Sequence, residues 1–149
     1  MKDHVKFDYN QITDHIYLGT NTCCTVHFDK VLLGKGIKAD ISVEGEKLDQ
    51  PFGVKYFLWL PTVDHEAPTL DALALGAQTI QYLVSRNMPV YVHCQNGHGR
   101  GPTVVAAYFI SKGMTVEKAI NTIAKKRPEI HIEDVQKAQL ELFAQKLKW

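Results

Sequence analysis

Cys94 and Arg100 stand six positions apart in the stretch HCQNGHGRGP, which occupies residues 93–102. The glycines between them allow a loop whose backbone N–H groups converge on an anion. An arginine can bind two phosphate oxygens at once, and the same positive surroundings favour the thiolate form of a cysteine. A thiolate beneath a bound phosphoryl group is a nucleophile for phosphorus. The spacing therefore predicts phosphoryl transfer through Cys94.

The same stretch also has simpler interpretations. Cys94 could be an ordinary buried thiol, with Arg100 a surface charge and the glycines an inert turn. His93, Cys94 and His98 could instead ligate a metal. A convincing fourth ligand is missing, however, and structural zinc sites usually have paired ligand motifs. We therefore expect neither a metal nor a cofactor.

Predicted strands and helices alternate along the chain around this stretch. Strands are expected within residues 9–20, 37–43, 54–60 and 89–92, and helices within 25–35, 69–86, 103–112, 115–126 and 133–147. Apolar spacing, the N-cap residues Thr69 and Thr115, and Pro61 as the end of a strand define these bounds. The alternation predicts an α/β domain with helices covering both faces of a central, mainly parallel sheet. The stretch then leaves the carboxyl end of a strand and enters a helix, where such sheets bind ligands.

The composition indicates one globular domain with little net charge. The 149 residues are 45% hydrophobic, and 17 basic side chains oppose 16 acidic ones for a net charge of +1. We expect a single, monomeric domain over residues 1–149 without a nucleic-acid or membrane partner. The basic run at residues 125–127 is typical of a solvated helix end.

The N-terminal residues have no apolar core, so we expect no signal peptide. No apolar stretch reaches the ~20 residues that a membrane-spanning helix needs. Three cysteines, of which Cys23 and Cys24 are adjacent, favour a reducing, cytoplasmic setting. In that setting Cys94 is a free thiol.

The segment HCQNGHGR fits the HCxxGxxR signature of the cysteine-dependent protein tyrosine phosphatases. The chain resembles their compact dual-specificity branch, particularly its archaeal members. The segments ITDHIYLG, LLGKGIKADISVEGE and RPEIHIEDVQKAQLELF resemble further parts of these domains, so the likeness covers residues from about 9 to 145. It implies a dual-specificity phosphatase-like fold and hydrolysis of phosphotyrosine on a phosphoprotein or phosphopeptide. A shallow pocket would accept phosphoserine and phosphothreonine as well.

The resemblance also implies a role for each residue of the signature. Cys94 is the expected nucleophile and carries a phosphocysteine intermediate, and Arg100 binds the phosphoryl oxygens. His93 helps to set the thiolate through hydrogen bonds of the loop. The cradle for the phosphate consists of the backbone amides of Gln95, Asn96, Gly97, His98, Gly99 and Arg100.

Asp64, thirty residues before Cys94, matches the general acid and base of the family. A solvated loop carboxylate is the alternative interpretation of Asp64. Further candidates are Glu66, Glu133 and Asp134 as substitute acids, Gln136 as a water-positioning residue or a plain helix-surface residue, and Glu44 and Glu46 as partners of Arg100 or solvated strand ends.

Gly101 departs from the family pattern, which usually has serine or threonine directly after the arginine. That hydroxyl stabilises the departing thiolate when the phosphoenzyme is hydrolysed, so we expect phosphocysteine to accumulate unless water or Thr103 replaces it. Pro102 stands where the family usually has glycine. The glycine-rich loop is also expected to be flexible, so that phosphate selects its active arrangement.

Gly101 leaves open a catalytically weak phosphate-binding module, or pseudophosphatase. A phosphoinositide phosphatase is a second alternative, although the loop lacks the lysines that such relatives use to bind ring phosphates. A sulfurtransferase or an arsenate reductase is less favoured. Cys23 and Cys24 could supply the resolving cysteines of a reductase, but a buried apolar helix explains them as well.

Overall fold

A five-stranded sheet crosses the part of the chain that the computed structural model describes, residues 7–21, 31–47 and 53–147. Its strands are β1 (Tyr9–Gln11), β2 (Ile16–Thr20), β3 (Ala39–Glu44), β4 (Tyr56–Thr62) and β5 (Val90–Cys94). They lie in the order β1-β2-β5-β3-β4. Only the pair of β1 and β2 is antiparallel in this sheet. The predicted α/β class with a mainly parallel sheet is confirmed.

Strand β5 lies at the centre of the sheet, between β2 and β3, and all of its residues are buried. Its sequence begins as a continuous apolar run, as expected for a parallel strand covered on both faces. His93 pairs in register with Gly19 of β2 and Ser42 of β3. The carboxyl ends of three parallel strands therefore meet where Cys94 ends β5.

Four α-helices follow the predicted bounds closely. They are α1 (Leu70–Ser85), α2 (Arg100–Ser111), α3 (Val116–Lys126) and α4 (Asp134–Lys146). Thr69 and Thr115 cap α1 and α3 as predicted, each accepting a hydrogen bond from the third residue along, at 3.0 and 3.1 Å. Helix α2 begins three residues before the predicted position, so Arg100 lies in its first turn.

The four helices pack on one face of the sheet. Apolar residues from every helix join those of β2, β3 and β5 in one core, in which Ile41, Val92 and Val104 are fully buried. A smaller cluster on the other face contains Tyr17, Leu32, Ile37 and Tyr91. Within the described residues, α-helices thus cover one face rather than both.

On the second face of the sheet, the described chain contains a 3-10 turn at Leu33–Lys35, which ends at Gly36 with φ of 86°. The predicted helix over 25–35 extends into residues 22–30, which lie outside the described part of the chain, as do Cys23 and Cys24. The positive φ explains why the turn stops at a glycine.

Strand β4 continues through Pro61, which we expected to end it. Because β4 is an edge strand, a residue without an N–H group interrupts no central ladder there. The register with β3 shifts between Ser42 and Glu44 beside the proline. In the described ranges, no helix has both the length and the hydropathy of a bilayer-spanning segment.

Candidate active site

Residues 95–99, here called the signature loop, connect β5 to α2 at the carboxyl edge of the sheet. Cys94, Arg100 and Asp64 line one cleft beside this loop. The structure thus brings together the three residues for which the sequence predicts catalytic roles. The cleft is closed on its far side by the N-terminal end of α4, to which Glu133 and Gln136 contribute.

The carbonyl groups of the signature loop all point away from the cleft and accept hydrogen bonds from the surrounding protein. The donors, in loop order, are the N–H of Asn21 (3.4 Å), the guanidinium of Arg127 twice (3.1 and 2.9 Å), the N–H of His131 (2.7 Å), and the N–H and hydroxyl of Thr103 (2.9 and 2.7 Å). In a trans peptide the next N–H points opposite to the carbonyl. The N–H groups of residues 95–100 donate to no acceptor among the described residues. This is the arrangement of an anion-binding nest.

Gly97, Gly99 and Gly101 each occupy their positions for a different structural reason. Only Gly97 has a positive φ, at 70°, and a Cβ there would lie 2.6 Å from the Gly19 carbonyl. Gly99 has φ of −128°, but a Cβ would lie 2.9 Å from the side chain of Gln136. Gly101 is helical and packs against Leu18. Of the three, Gly97 alone needs the left-handed backbone, and Gly99 and Gly101 allow close approach of neighbouring side chains.

The Cys94 thiol is buried at the N-terminal end of α2. Its Sγ accepts a hydrogen bond from the Gly101 N–H at 3.3 Å. A helix N-terminus favours negative charge, so an anion bound beside this sulfur is stabilised.

His93 precedes the thiol and faces β3. Its Nε2 lies 2.7 Å from Oδ1 of Asp40, and its ring stacks on Tyr91. The contact with Asp40 joins β5 to β3 one residue before Cys94. In the described part of the chain, no three His, Cys, Asp or Glu side chains are grouped so that they could hold a metal ion.

Arg100 is buried and bound by acidic and carbonyl oxygens. Its Nη1 and Nη2 donate to the two carboxylate oxygens of Glu46 at 2.5 and 3.0 Å, and Nη1 also donates to the Thr62 carbonyl at 2.8 Å. The hydrogen bond from Arg100 lowers the pKa of Glu46 below its usual value. Burial alone would lower the pKa of Arg100, but Glu46 and the charges of Cys94 and Asp64 raise it. The guanidinium is therefore fixed and permanently charged.

Of the two acids proposed as partners of Arg100, the structure selects Glu46. Glu44 is buried and accepts a hydrogen bond from the Asn21 side chain at 2.9 Å. The shift in register beside Glu44 makes simple strand alternation an unreliable guide to which acid faces the cleft.

Asp64 lies in the loop between β4 and α1, on the cleft side of that loop. Its Oδ1 is 3.3 Å from Nη2 of Arg100 and accepts the N–H of His65 at 3.0 Å. Glu66, the nearest substitute acid, lies in the same loop, and its carbonyl accepts a hydrogen bond from Gln136 at 3.0 Å. Glu133 lines the cleft and forms the N-cap of α4.

Arg127 is a site residue that sequence reasoning missed. Its relative exposure is 0%, whereas the basic run suggested a solvated helix end. Its guanidinium donates to the carbonyls of Asn96 and Gly97 and to the side chains of Asp8 and Asn10, over 2.8–3.3 Å. It therefore ties strand β1 and the residue before it to the signature loop. The sequence signal that could have identified it is the Arg-Pro pair that begins the family-like segment RPEIHIEDVQKAQLELF.

Gln136 is also buried, at 1% exposure, rather than lying on the helix surface. Its Oε1 accepts the N–H of Glu133 at 2.9 Å, and its Nε2 donates to the Glu66 carbonyl. The side chain also stands against Gly99. Gln136 therefore joins α4 to both the signature loop and the Asp64 loop.

Comparisons with known proteins agree with this geometry. Residues 16–146 match the family model described as dual specificity phosphatase, catalytic domain. Over 88 residues the chain is 43% identical to human phosphatidylglycerophosphatase and protein-tyrosine phosphatase 1, a match that covers 58% of this chain and 44% of that protein. It is 34% identical over 89 residues to phosphatidylglycerophosphate phosphatase PTPMT2 of Arabidopsis thaliana, covering 58% of this chain and 39% of that protein. The aligned part is thus less than half of each relative's length.

A solved structure shares nearly the whole fold. The crystal structure of PTPMT1 in complex with PI(5)P superposes with a TM-score of 0.84 at 29% sequence identity, covering 94% of this chain and 96% of that one.

Proposed function

Because the chain belongs to the dual specificity phosphatase catalytic-domain family, we propose that it hydrolyses phosphate monoesters in two steps through a phosphocysteine on Cys94. The observation that carries this proposal is the orientation of the signature loop. Its carbonyls are bound on the outside, which leaves the N–H groups of residues 95–100 directed at the space above the Cys94 sulfur. Arg100 lines the same cleft.

In the first step the Cys94 thiolate attacks phosphorus, a sulfur–phosphorus bond forms, and the bond from phosphorus to the ester oxygen breaks. Asp64 donates a proton to the departing oxygen. The loop N–H groups and the fixed Arg100 guanidinium stabilise the negative charge on the equatorial phosphoryl oxygens. Glu46 keeps the guanidinium in place without occupying the whole of its donor edge.

In the second step water attacks phosphorus, the sulfur–phosphorus bond breaks, and Asp64 accepts the proton of the water. The thiolate then leaves toward the Gly101 N–H, which is 3.3 Å from Sγ in this structure. The Thr103 hydroxyl donates to the Gly99 carbonyl at 2.7 Å. A backbone N–H, rather than a side-chain hydroxyl, therefore stabilises the leaving sulfur.

The substrate class that we infer is a phosphate monoester on a phospholipid headgroup. Two relatives carry a phosphatidylglycerophosphate activity in their names, and the solved neighbour is described in complex with PI(5)P. Phosphotyrosine is the second candidate, since the human relative's name also includes a protein-tyrosine phosphatase. The sequence itself favours a phosphoprotein, because the loop lacks lysine. That preference is therefore the competing prediction, and it has not been tested.

A substrate panel distinguishes these candidates. Phosphate release is measured with EDTA present from p-nitrophenyl phosphate, a phosphotyrosyl peptide, and phosphatidylglycerophosphate in mixed micelles. A kcat/KM for the lipid that exceeds the peptide value at least tenfold supports the lipid class. A higher value for the peptide rejects it, and binding of all three without turnover supports the pseudophosphatase alternative.

Replacing Asp64 with asparagine should slow the hydrolysis of phenyl phosphate about 100-fold, the usual contribution of a general acid. The loss should be much smaller for p-nitrophenyl phosphate, because its leaving group needs little protonation. Initial rates on the two substrates test this, with Glu66→Gln as the matched control in the same loop. Equal losses on both substrates would show that Asp64 is not the acid.

Replacing Gly101 with serine should raise the steady-state rate about tenfold where phosphoenzyme hydrolysis limits it, since a hydrogen bond to a charged group is worth about that much. A Cβ at this position lies 3.6 Å from Sγ, so the new hydroxyl can reach the sulfur. It also lies 3.1 Å from the tip of Leu18, which must shift slightly. Gly101→Ala supplies the Cβ alone. A native protein without a burst, or equal rates for the serine and alanine variants, would contradict the expectation.

A further inference from the structure

His65 joins the Asp64 loop to α4 across the mouth of the cleft. Its Nδ1 lies 2.7 Å from Oε2 of Glu133, and its Nε2 lies 3.6 Å from Oδ2 of Asp64. The backbone of His65 is left-handed, with φ of 68°, a conformation that is uncommon for a residue other than glycine. With this backbone conformation, the imidazole lies between the carboxylates of Asp64 and Glu133.

Two further contacts hold the same loop to α4. Gln136 donates to the Glu66 carbonyl at 3.0 Å, and Gln139 donates to the Pro68 carbonyl at 2.9 Å. Both hydrogen bonds are donated by uncharged side-chain amides, and both are accepted by backbone carbonyls of residues that follow Asp64 in the loop. The His65 contact is the one that reaches the carboxylate of Asp64 itself.

The two oxygens of Asp64 face different partners. Oδ1 lies beside Nη2 of Arg100, at 3.3 Å, and accepts the backbone N–H of His65 at 3.0 Å, whereas Oδ2 faces the His65 imidazole. A bound phosphoryl group needs the donors of Arg100. Asp64 then loses that partner at the moment when it must protonate the leaving oxygen. A second partner that does not touch the phosphate can hold it in place.

We propose that His65 is the positioning residue for Asp64, and that its ion pair with Glu133 fixes the acid loop against the N-terminal end of α4. The inference rests on the proposed two-step hydrolysis, in which Asp64 is the general acid. His65 lines the cleft beside Asp64, and in this proposal it acts through the orientation of Asp64 rather than on the reacting atoms.

The charges around His65 agree with this role. The hydrogen bond to Glu133 raises the pKa of His65, the charges of Asp64 and Glu133 raise it further, and Arg100 opposes them. The same hydrogen bond lowers the pKa of Glu133. His98 and His131 line the same cleft. The ion pair therefore exists between the lowered pKa of Glu133 and the raised pKa of His65, and it disappears as the pH rises through the latter.

His65→Asn and Glu133→Gln test the proposal, since asparagine tolerates the left-handed backbone. Each should lower kcat for phenyl phosphate by up to about fivefold, the upper limit expected for loss of one exposed ion pair, with KM unchanged. Turnover of p-nitrophenyl phosphate should hardly change. The ratio of native to variant kcat should fall toward one as the pH rises through the raised pKa of His65. Glu117→Gln, which removes the exposed ion pair with Lys137 on α4, is the matched control and should change neither rate.

The His65→Asn and Asp64→Asn changes are then combined. If His65 acts through Asp64, the double variant should be no slower on phenyl phosphate than Asp64→Asn alone. A full further loss in the double variant, or equal losses on the two substrates, would overturn the positioning role. If Asp64→Asn itself leaves phenyl phosphate hydrolysis unchanged, the assignment of the acid fails instead and the inference falls with it.

Discussion

Replacing Cys94 with serine should abolish phosphate release, with a loss on the order of 10⁴-fold or more, as for other covalent nucleophiles. A serine hydroxyl is protonated at neutral pH, and the contact to Sγ is an N–H donor rather than a base. Among the described residues, no base is hydrogen-bonded at this position to take the proton of serine. The proposed phosphate cradle consists of backbone N–H groups and Arg100, neither of which the substitution removes, so the variant should still bind phosphate esters.

The measurement compares native, Cys94→Ser and Cys94→Ala proteins, with EDTA present throughout. Initial rates of phosphate release give the loss in turnover, and calorimetric titration with a phosphate ester gives binding. Circular dichroism shows that the variants are folded. Turnover at the native rate in either variant would mean that the chemistry does not pass through this sulfur.

Replacing Arg127 with leucine should be the most damaging change outside the three proposed catalytic residues. The guanidinium is fully buried and donates to two carbonyls of the signature loop and to two side chains near β1. Removing it leaves buried acceptors without donors, at a cost of about 3 kcal/mol in the free energy of unfolding. The loop would also lose its outer anchor. Because small displacements of a phosphate cradle are costly, kcat/KM should fall about 100-fold.

Urea unfolding and kinetics well below the melting temperature test the two effects separately. Lys126→Leu is the matched control, since its side chain is exposed and adjacent, and it should change stability by less than about 0.5 kcal/mol. Arg127→Lys should restore little, because an ammonium cannot serve four acceptors in different directions. If the leucine variants at 126 and 127 behave alike, Arg127 does not brace the loop.

The parts of the site that lie close together in sequence could be predicted from the sequence. Cys94 and Arg100 are separated by one loop, and the strand before it and the helix after it have clear apolar patterns. The helix caps Thr69 and Thr115 are also local signals, and both were predicted correctly. Each of these features depends on residues within about one turn or one strand of each other.

The residues that surround the loop could not be predicted in this way, because their roles depend on tertiary contacts. Arg127 contacts Gly97 across 30 positions of sequence and Asp8 across 119. Gln136 resembles any surface residue of an amphipathic helix until α4 is placed beside Gly99. The choice between Glu44 and Glu46 depends on a register shift that no local pattern shows.

The contacts of Arg127 with the signature loop and β1 have a consequence for folding during synthesis on the ribosome. It joins the first strand to the residue after α3, and the partners in that contact are 117 and 119 positions apart. Contacts of such long sequence separation form late in folding. During synthesis from the N-terminus, Cys94 and the signature loop emerge before Arg127 and α4. A chain terminated before residue 127 therefore has the signature loop without the Arg127 contacts that support it, and we expect activity only after Arg127 and α4 have been synthesised.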